Sequence, residues 1–471
     1  MDTSYDVIVI GGGSAGTEAA KTAALLGQST LLIEREDIGG TCLKSGCIPS
    51  KFYLSVAASL HGFEHRRELG MLSGHISGSF ETVQKRQSAV VDALMGGTEA
   101  DLKACRVDIL KATARVMQDP NGLRAYADGT EYNARNVILA NGSRPRIPVL
   151  EGIRDEIASG FVYTNENLFL MEKQPQSMAV IGAGVSGVEL AWAFSEMGTE
   201  VTLIEELDRI LAPFDEDVRG KMLRMLAKSA VTVICSAKVE EICEGSVVYL
   251  DESGEEQVLD VESVFVGIGR EASKRGILLD GLDYDEKGFV KTDEFFRTSI
   301  PHVYAVGDIN GRNLTAHSAI CQGRIAAEHA ASRHRMQNGE READRPSGKI
   351  IPSVIYTDPE CVCVGKTESE LKKKNRSFRV VKLPMNYSGR YAAECGEFNS
   401  DGMIKLIFDE NSVLIGAAMV SLHASEISFA LELMIEGRFT ARRMLEYVYP
   451  HPTESEMIRT CALQYLRETR T

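Results

Sequence analysis

An α/β fold with two nucleotide-holding units and a further α/β module is predicted by three observations. A strand, a glycine-rich turn and a helix follow one another near the N-terminus. The same arrangement returns at Gly182. Beyond a polar stretch from Ser332 to Gly348 the pattern changes to short strands and then helices, with no such turn. The length of 471 residues suits three or four domains at ~100 to 200 residues each.

The first unit begins with an apolar strand, Tyr5 to Ile10, which runs into Gly11-Gly12-Gly13-Ser14-Ala15-Gly16 and an alanine-rich helix ending near Leu26. A second strand, Thr30 to Ile33, ends in Glu34. This is the Rossmann-like pattern, in which Gly11, Gly13 and Gly16 let backbone N–H groups and a helix N-terminus approach a pyrophosphate, and the acid accepts bonds from a ribose hydroxyl. In the second unit Gly182, Gly184 and Gly187 stand between the strand Met178 to Ile181 and a helix from Val188 to Met197. The next strand, Val201 to Ile204, ends in Glu205. From first glycine to acid the interval is 23 residues in both units. Two independent dinucleotides are implied, and Glu205 would repel a 2′-phosphate, favouring NAD over NADP, although Arg209 is close by.

Between the units lies Gly39-Gly40-Thr41-Cys42-Leu43-Lys44-Ser45-Gly46-Cys47-Ile48-Pro49-Ser50-Lys51. In a regular helix Cys42 and Cys47 would be separated by about 7.5 Å along the axis, beyond the ~7 Å Cα limit for an unstrained disulfide. A bond between them would need a distorted backbone, which Gly46 can supply. The segment reads either as a redox loop against a ligand or as two buried, reduced thiols. Cys361 and Cys363 alternate with Val362 and Val364 and read as core.

Two further strands break at Asn141-Gly142-Ser143 and at Gly307-Asp308, either as close approaches to a cofactor or as ordinary loops. The last module holds strands near Arg379–Leu383, Met403–Phe408 and Val413–Val420, and helices near Ser425–Glu436 and Glu454–Arg467. It also carries His451-Pro452-Thr453-Glu454-Ser455-Glu456. Thr453 and Glu456 fit a helix capping box, which would leave His451 on the surface. The same residues also suit a histidine base oriented by a carboxylate, as thiol chemistry near neutral pH requires.

The net charge of −15 argues against a general nucleic-acid binder. Lys372-Lys373-Lys374 with Arg376 reads as a solvated helix end. The sequence has no long apolar run and no signal peptide, so a cytoplasmic protein without membrane attachment is expected.

Together, the Gly40-Thr41-Cys42 to Lys51 segment, the His451-Pro452-Thr453 and Ser455-Glu456 signature and the paired glycine turns resemble the flavin-dependent pyridine nucleotide disulfide oxidoreductases, nearest their dihydrolipoamide dehydrogenase branch. The resemblance covers essentially the whole chain. It implies an FAD-binding domain in two parts, 1–147 and 274–347, an NAD-binding domain at 148–273 and a dimerisation domain at 348–471. The first glycine turn would hold FAD together with Glu34, Thr41, Lys51, Ala114, Gly142, Ser143, Asp308 and the segment Leu314, Thr315, Ala316 and His317. The second would hold NAD, flanked by Glu205, Val239 and Gly269, while Lys51 would pair with Glu189. By the same resemblance Cys42 and Cys47 form a redox disulfide. Cys42 exchanges with substrate and Cys47 faces the flavin, while His451, with Glu456, serves the cysteines of the other subunit of a homodimer. No metal is implied. The substrate would be dihydrolipoamide on a lipoyl protein of a 2-oxoacid dehydrogenase complex or the glycine cleavage system.

Several residues depart from the family pattern: Lys44-Ser45, Asn141, Val185, Pro450 and Glu454. Pro450 is expected to stiffen the backbone at His451, and the charge near the substrate mouth is expected to differ. Alternatives are a glutathione-reductase-like enzyme or a flavoprotein whose main role is docking in a multienzyme complex. A mercuric-reductase-like protein would need a cysteine pair that Leu466 to Thr471 lacks.

Overall fold

The computed structural model describes residues 3–119, 122–336, 350–397 and 401–469. The first sheet has eight strands. In the order Thr130–Leu139, Ser4–Ile10, Thr30–Glu34, Asp108–Lys111 its core is parallel, and Gly122–Ala127, Arg115–Asp119 and Ile277–Leu278 extend it past Thr130–Leu139. Val303–Ala305 also pairs with Thr130–Leu139. Covering on both faces explains why Val7, Ile8 and Val9 are an unbroken apolar run with no exposed surface. The second sheet is fully parallel, in the order Thr232–Ile234, Glu200–Ile204, Ser177–Ile181, Ser263–Val266, Val162–Tyr163. The chain returns to the first sheet only after completing the second.

The two glycine turns are built alike. Gly16 packs so closely on the turn's first residue that a Cβ there would lie 1.8 Å from the Gly11 carbonyl oxygen, and Gly187 stands 1.9 Å from that of Gly182 in the same sense. The third glycine of each motif is therefore a steric requirement of folding the helix back onto its strand. The helices follow at Ser14–Leu25 and Val185–Glu196, the second starting three residues earlier than its sequence pattern indicates.

The third sheet is antiparallel, in the order Ser353–Ile355, Glu360–Gly365, Leu414–Ser421, Met403–Phe408, Arg379–Pro384, and packs against helices Ala424–Glu436 and Glu456–Glu468. Cys361 and Cys363 lie in the Glu360–Gly365 strand. Burial raises both thiols, Cys363 to about 12; Cys361 is a core residue as expected, while Cys363 is half-buried and packs against that core. Ser332, expected to open a linker, is instead buried in the helix Ala316–Met336, its hydroxyl donating to the His329 carbonyl. The rest of that polar stretch, 337–348, lies outside the described residues. The lysine run closes the helix Glu368–Lys373, which begins with a complete Thr367/Glu370 capping box.

Strand Met403–Phe408 alternates between two cores. Ile404, Leu406 and Phe408 face the third domain's own helices, while Met403 packs with the second domain. Lys405 shares the Met403 face and is 2% exposed. Its ammonium reaches Asp215 at 2.8 Å, Glu368 at 2.7 Å and Asp217, joining the second and third domains through a buried charge cluster.

Candidate active site

Both acids that end the second strands of the nucleotide units turn back onto their glycine loops. Glu34 accepts from Gly12 N at 2.6 Å and Glu36 N at 2.9 Å, and Glu205 accepts from Ala183 N at 2.6 Å and Leu207 N at 2.9 Å. Each carboxylate oxygen keeps a lone pair free for a ribose hydroxyl.

Beside the first turn is a cleft of about 1140 Å³, lined among others by Gly11, Gly13, Glu34, Thr41, Ala114 and Gly142. Asn141 also lines it, its amide donating to the Arg275 carbonyl at 3.0 Å while its buried Oδ1 has no hydrogen-bond partner. The cleft has the room of a dinucleotide, is lined by the glycine turn and holds an acceptor unmatched among the described residues, so the residues present fit FAD. Ser143 lines the same cleft and its hydroxyl donates to Asp308 at 2.5 Å. Leu314 is exposed, Thr315 bonds Asn313, Ala316 opens its helix, and the His317 ring contacts the Pro352 carbonyl at 2.9 Å. In the second unit Val239 is half-buried in the strand Lys238–Cys243. Gly269 adopts φ +108 just before the strand Arg270–Ala272.

The cysteine segment is broken, the distortion that a bond between its cysteines would need. One short helix, Gly40–Lys44, ends at Ser45, and a long one, Cys47–Glu68, starts after Gly46 at φ −138, ψ −111. Gly40, at φ +56, lies against the first glycine turn, where a Cβ would meet Gly13 Cα at 2.7 Å. Pro49 falls in the first turn of the long helix, where its missing N–H costs nothing. The two cysteines are separate thiols here, with their side chains in hydrogen-bond contact. That bond lowers Cys47 to about 7, aided by the nearby Lys51 charge and opposed by burial. The same bond and burial push Cys42 up.

Lys51 sits one helical turn beyond Cys47 and pairs with Glu189 at 3.1 Å. Glu189, buried on the second unit's helix, also accepts from Tyr356 N at 2.9 Å, and the Lys51 ammonium lies 4.1 Å from the centre of the Tyr356 ring. All three domains thus meet at this lysine. Arg270 was not singled out by its sequence. It donates from Nε to Ser143 Oγ at 2.6 Å, reaches Thr41 Oγ1 at 3.5 Å and stands 3.6 Å from Asp308. Ser14, whose hydroxyl bonds Cys42, was also missed. Gly269 beside Arg270 and the turn around Ser14 were the available signals.

His451 is 80% exposed on its side chain, and its Nδ1 lies 3.0 Å from Glu456 Oε1. The capping box is only half formed. Glu456 Oε2 accepts from Thr453 N at 2.9 Å, but the Thr453 hydroxyl donates to the Pro450 carbonyl and the helix starts at Glu456 itself. The bond from Thr453, followed by the histidine contact, holds the Glu456 carboxyl below its ordinary value despite burial. Glu454, one of the departures from the family pattern, lies in the interior. It is 3% exposed and accepts from Ser421 Oγ at 2.6 Å. Lys44 instead adds charge at the first cleft, bonding Glu36 at 3.0 Å.

Two dinucleotide turns, a proton-sharing cysteine pair beside a lysine–glutamate pair, and an exposed histidine on a carboxylate define a flavin- and nicotinamide-linked dithiol oxidoreductase. Residues 5–330 match the model of the pyridine nucleotide-disulphide oxidoreductases and 351–462 that of their dimerisation domain, and the chain belongs to this family. It is an oxidoreductase with FAD and NAD(H) as cofactors. It is 32% identical over 460 residues to a dihydrolipoyl dehydrogenase of Mycoplasma pneumoniae, covering 97% of each chain. To one of Bacillus subtilis it is 33% identical over 481 residues, covering 98% of each. Its fold matches LpdA from Mycobacterium tuberculosis with a TM-score of 0.84 at 23% identity, over 98% of this chain and 100% of that one. The HOCl-induced flavoprotein disulfide reductase RclA from Escherichia coli gives 0.82 at 22%, over 98% and 99%. Among the described residues no helix is long and apolar enough to cross a membrane.

Proposed function

We propose that this enzyme oxidises dihydrolipoamide, carried on a lipoyl protein, to lipoamide with NAD as acceptor. The observation that carries this reading is the cysteine pair, set at the break between two helices with the Lys51–Glu189 ion pair one turn beyond Cys47. The dihydrolipoyl dehydrogenases similar to it over nearly their whole length support the choice of substrate. Gly11, Gly13, Gly16, Glu34, Thr41, Ala114, Gly142, Ser143, Asp308 and the Leu314–His317 segment would hold FAD. Gly182, Gly184, Gly187, Glu205, Val239 and Gly269 would hold NAD. When bound, FAD supplies a two-electron acceptor between the dithiol and the nicotinamide.

The residues divide the work by proton affinity. With Cys42 and Cys47 joined, His451 takes the proton of one substrate thiol, and the resulting thiolate attacks Cys42 Sγ. The Cys42–Cys47 bond breaks and Cys47 leaves as a thiolate, the form that Lys51 favours. The second substrate sulfur then displaces Cys42, its proton passing to the departing Cys42 sulfur; the lipoyl disulfide closes and the enzyme is left reduced, with Cys42 a thiol, Cys47 a thiolate and one proton on His451. Glu456 fixes the His451 ring and its tautomer. With His451 exposed and bonded to Glu456, the base is proposed to serve the cysteines of a second subunit, held by the dimerisation domain. The lipoyl carrier would belong to a 2-oxoacid dehydrogenase complex or the glycine cleavage system, in the cytoplasm.

Steady-state turnover of dihydrolipoamide with NAD or NADP, followed by nicotinamide absorbance, tests this reading. Rapid turnover with NAD is expected. FAD-loaded protein inert toward dihydrolipoamide but active on another dithiol or disulfide would reject the substrate.

A further inference from the structure

Glu394, His423 and Glu454 come from three separate segments: the helix Gly389–Cys395, the turn after the strand Leu414–Ser421, and the stretch between His451 and the C-terminal helix. One potential ligand atom from each lies within 4.8 Å of the other two. His423 Nε2 is 2.8 Å from Glu394 Oε2. Glu454 is almost wholly buried, and its two oxygens differ. Oε2 accepts from Ser421 Oγ at 2.6 Å and from His423 N at 3.2 Å, which satisfies a donor at the start of the helix Ala424–Glu436. Oε1 is also buried and has no hydrogen-bond partner among the described residues. An unmatched carboxylate oxygen in the interior is costly, and burial raises the Glu454 carboxyl above its ordinary value, so a cation or a proton is needed there.

We propose that His423, Glu394 and Glu454 bind a divalent cation of the zinc class. One imidazole nitrogen with two carboxylate oxygens is a borderline donor set of the kind zinc takes, with a fourth position left to water. Tetrahedral bonds near 2.0 Å place ligand atoms about 3.3 Å apart, within reach of small side-chain rotations from the present separations. The His423 side chain is half exposed, which provides an entry path. Outer contacts are in place: Ser421 on Glu454, Arg390 in an ion pair with Glu394, and Arg66 donating to the Glu394 main-chain carbonyl at 3.2 Å. The cation would tie the segment following His451 to the sheet and to the Gly389–Cys395 helix. The competing arrangement has no metal: His423 stays bonded to Glu394 and the buried Glu454 carries the proton.

The experiment is equilibrium dialysis of Zn²⁺ against chelator-treated, FAD-loaded protein in which Cys42→Ser and Cys47→Ser remove the competing thiolates. About one Zn²⁺ per chain is expected. Glu454→Gln and His423→Gln should each weaken binding by about 100-fold or more, beyond the effect of losing an outer-shell contact. Absence of zinc binding in the parent, or unchanged binding in either FAD-retaining variant, overturns the proposal in favour of the metal-free arrangement. If Glu454→Gln does not hold FAD, the half-exposed His423→Gln decides alone.

Discussion

The Lys51 ammonium lies 3.1 Å from Glu189, a residue 138 positions later on the helix of the second glycine turn. This pair fixes a positive charge one turn from Cys47, where the thiolate is needed. The electrostatic consequence can be measured on the reduced protein. The Cys47 thiolate forms as pH rises through about 7, so alkylation by iodoacetamide should rise through the same window. Lys51→Met should move that midpoint upward, toward the ~8.5 of a free thiol. An unmoved midpoint would show that Lys51 does not stabilise the thiolate.

Glu205 and Glu34 hold equivalent positions, so their effects should be separable. Glu205→Ala should lower kcat/KM for NAD by about 10- to 100-fold, the scale of one or two hydrogen bonds to a charged group. It should narrow the preference over NADP and leave FAD content unchanged. Glu34→Ala should instead lower FAD retention. A Glu205→Ala enzyme with wild-type NAD kinetics would remove this acid from the nucleotide site.

Lys405 is buried with Asp215, Asp217 and Glu368 around it. Burial raises Asp217 and Glu368, but hydrogen bonds from Lys382 and Lys405 to the first, and from Lys405 and Lys372 to the second, outweigh it and hold both below their ordinary values. Their contribution is complete above the unfolded carboxylate range of about 4 and disappears as pH falls through the lower folded values. Lys405→Met should cost about 3–5 kcal/mol in urea unfolding at pH 7, because it strands buried carboxylates. The variant should also lose part of the parent's acid-dependent destabilisation. A variant as stable as the parent both at pH 7 and at acid pH, about pH 3 to 4 where the carboxylates protonate, would mean that the cluster is energetically neutral.

Much of this site is legible in the sequence because its elements are local. The interval from Gly11 to Glu34 fixes a turn, a helix and an acid within one supersecondary unit, and its repeat at Gly182 to Glu205 follows the same steric rule. The break between Cys42 and Cys47 was also legible, since their spacing cannot close on a straight helix. Arg270 and Tyr356 were not, because their importance arises from contacts across more than a hundred residues that no local pattern records. The burial of Glu454 was not legible for a related reason. Ser421 and the N-terminus of a distant helix draw its carboxylate inward.

If His451 serves the opposite subunit, two inactive chains should complement one another. Cys47→Ser and His451→Gln homodimers should each lose at least about 100-fold in turnover, the scale of a lost general base for the latter. Heterodimers isolated after co-expression of the two variants should recover about half of the parent rate, since one of their two sites is then intact under this geometry. Heterodimers as inactive as both parents would place His451 and the cysteines of one site in the same chain.

The central claim is that electrons leave a dithiol substrate through the Cys42–Cys47 pair. Its most direct test is steady-state oxidation of dihydrolipoamide by NAD in the parent and in Cys47→Ser, with FAD content measured in both. The account predicts rapid turnover in the parent and none above background in a variant that keeps its flavin. Sustained turnover by FAD-loaded Cys47→Ser would contradict it.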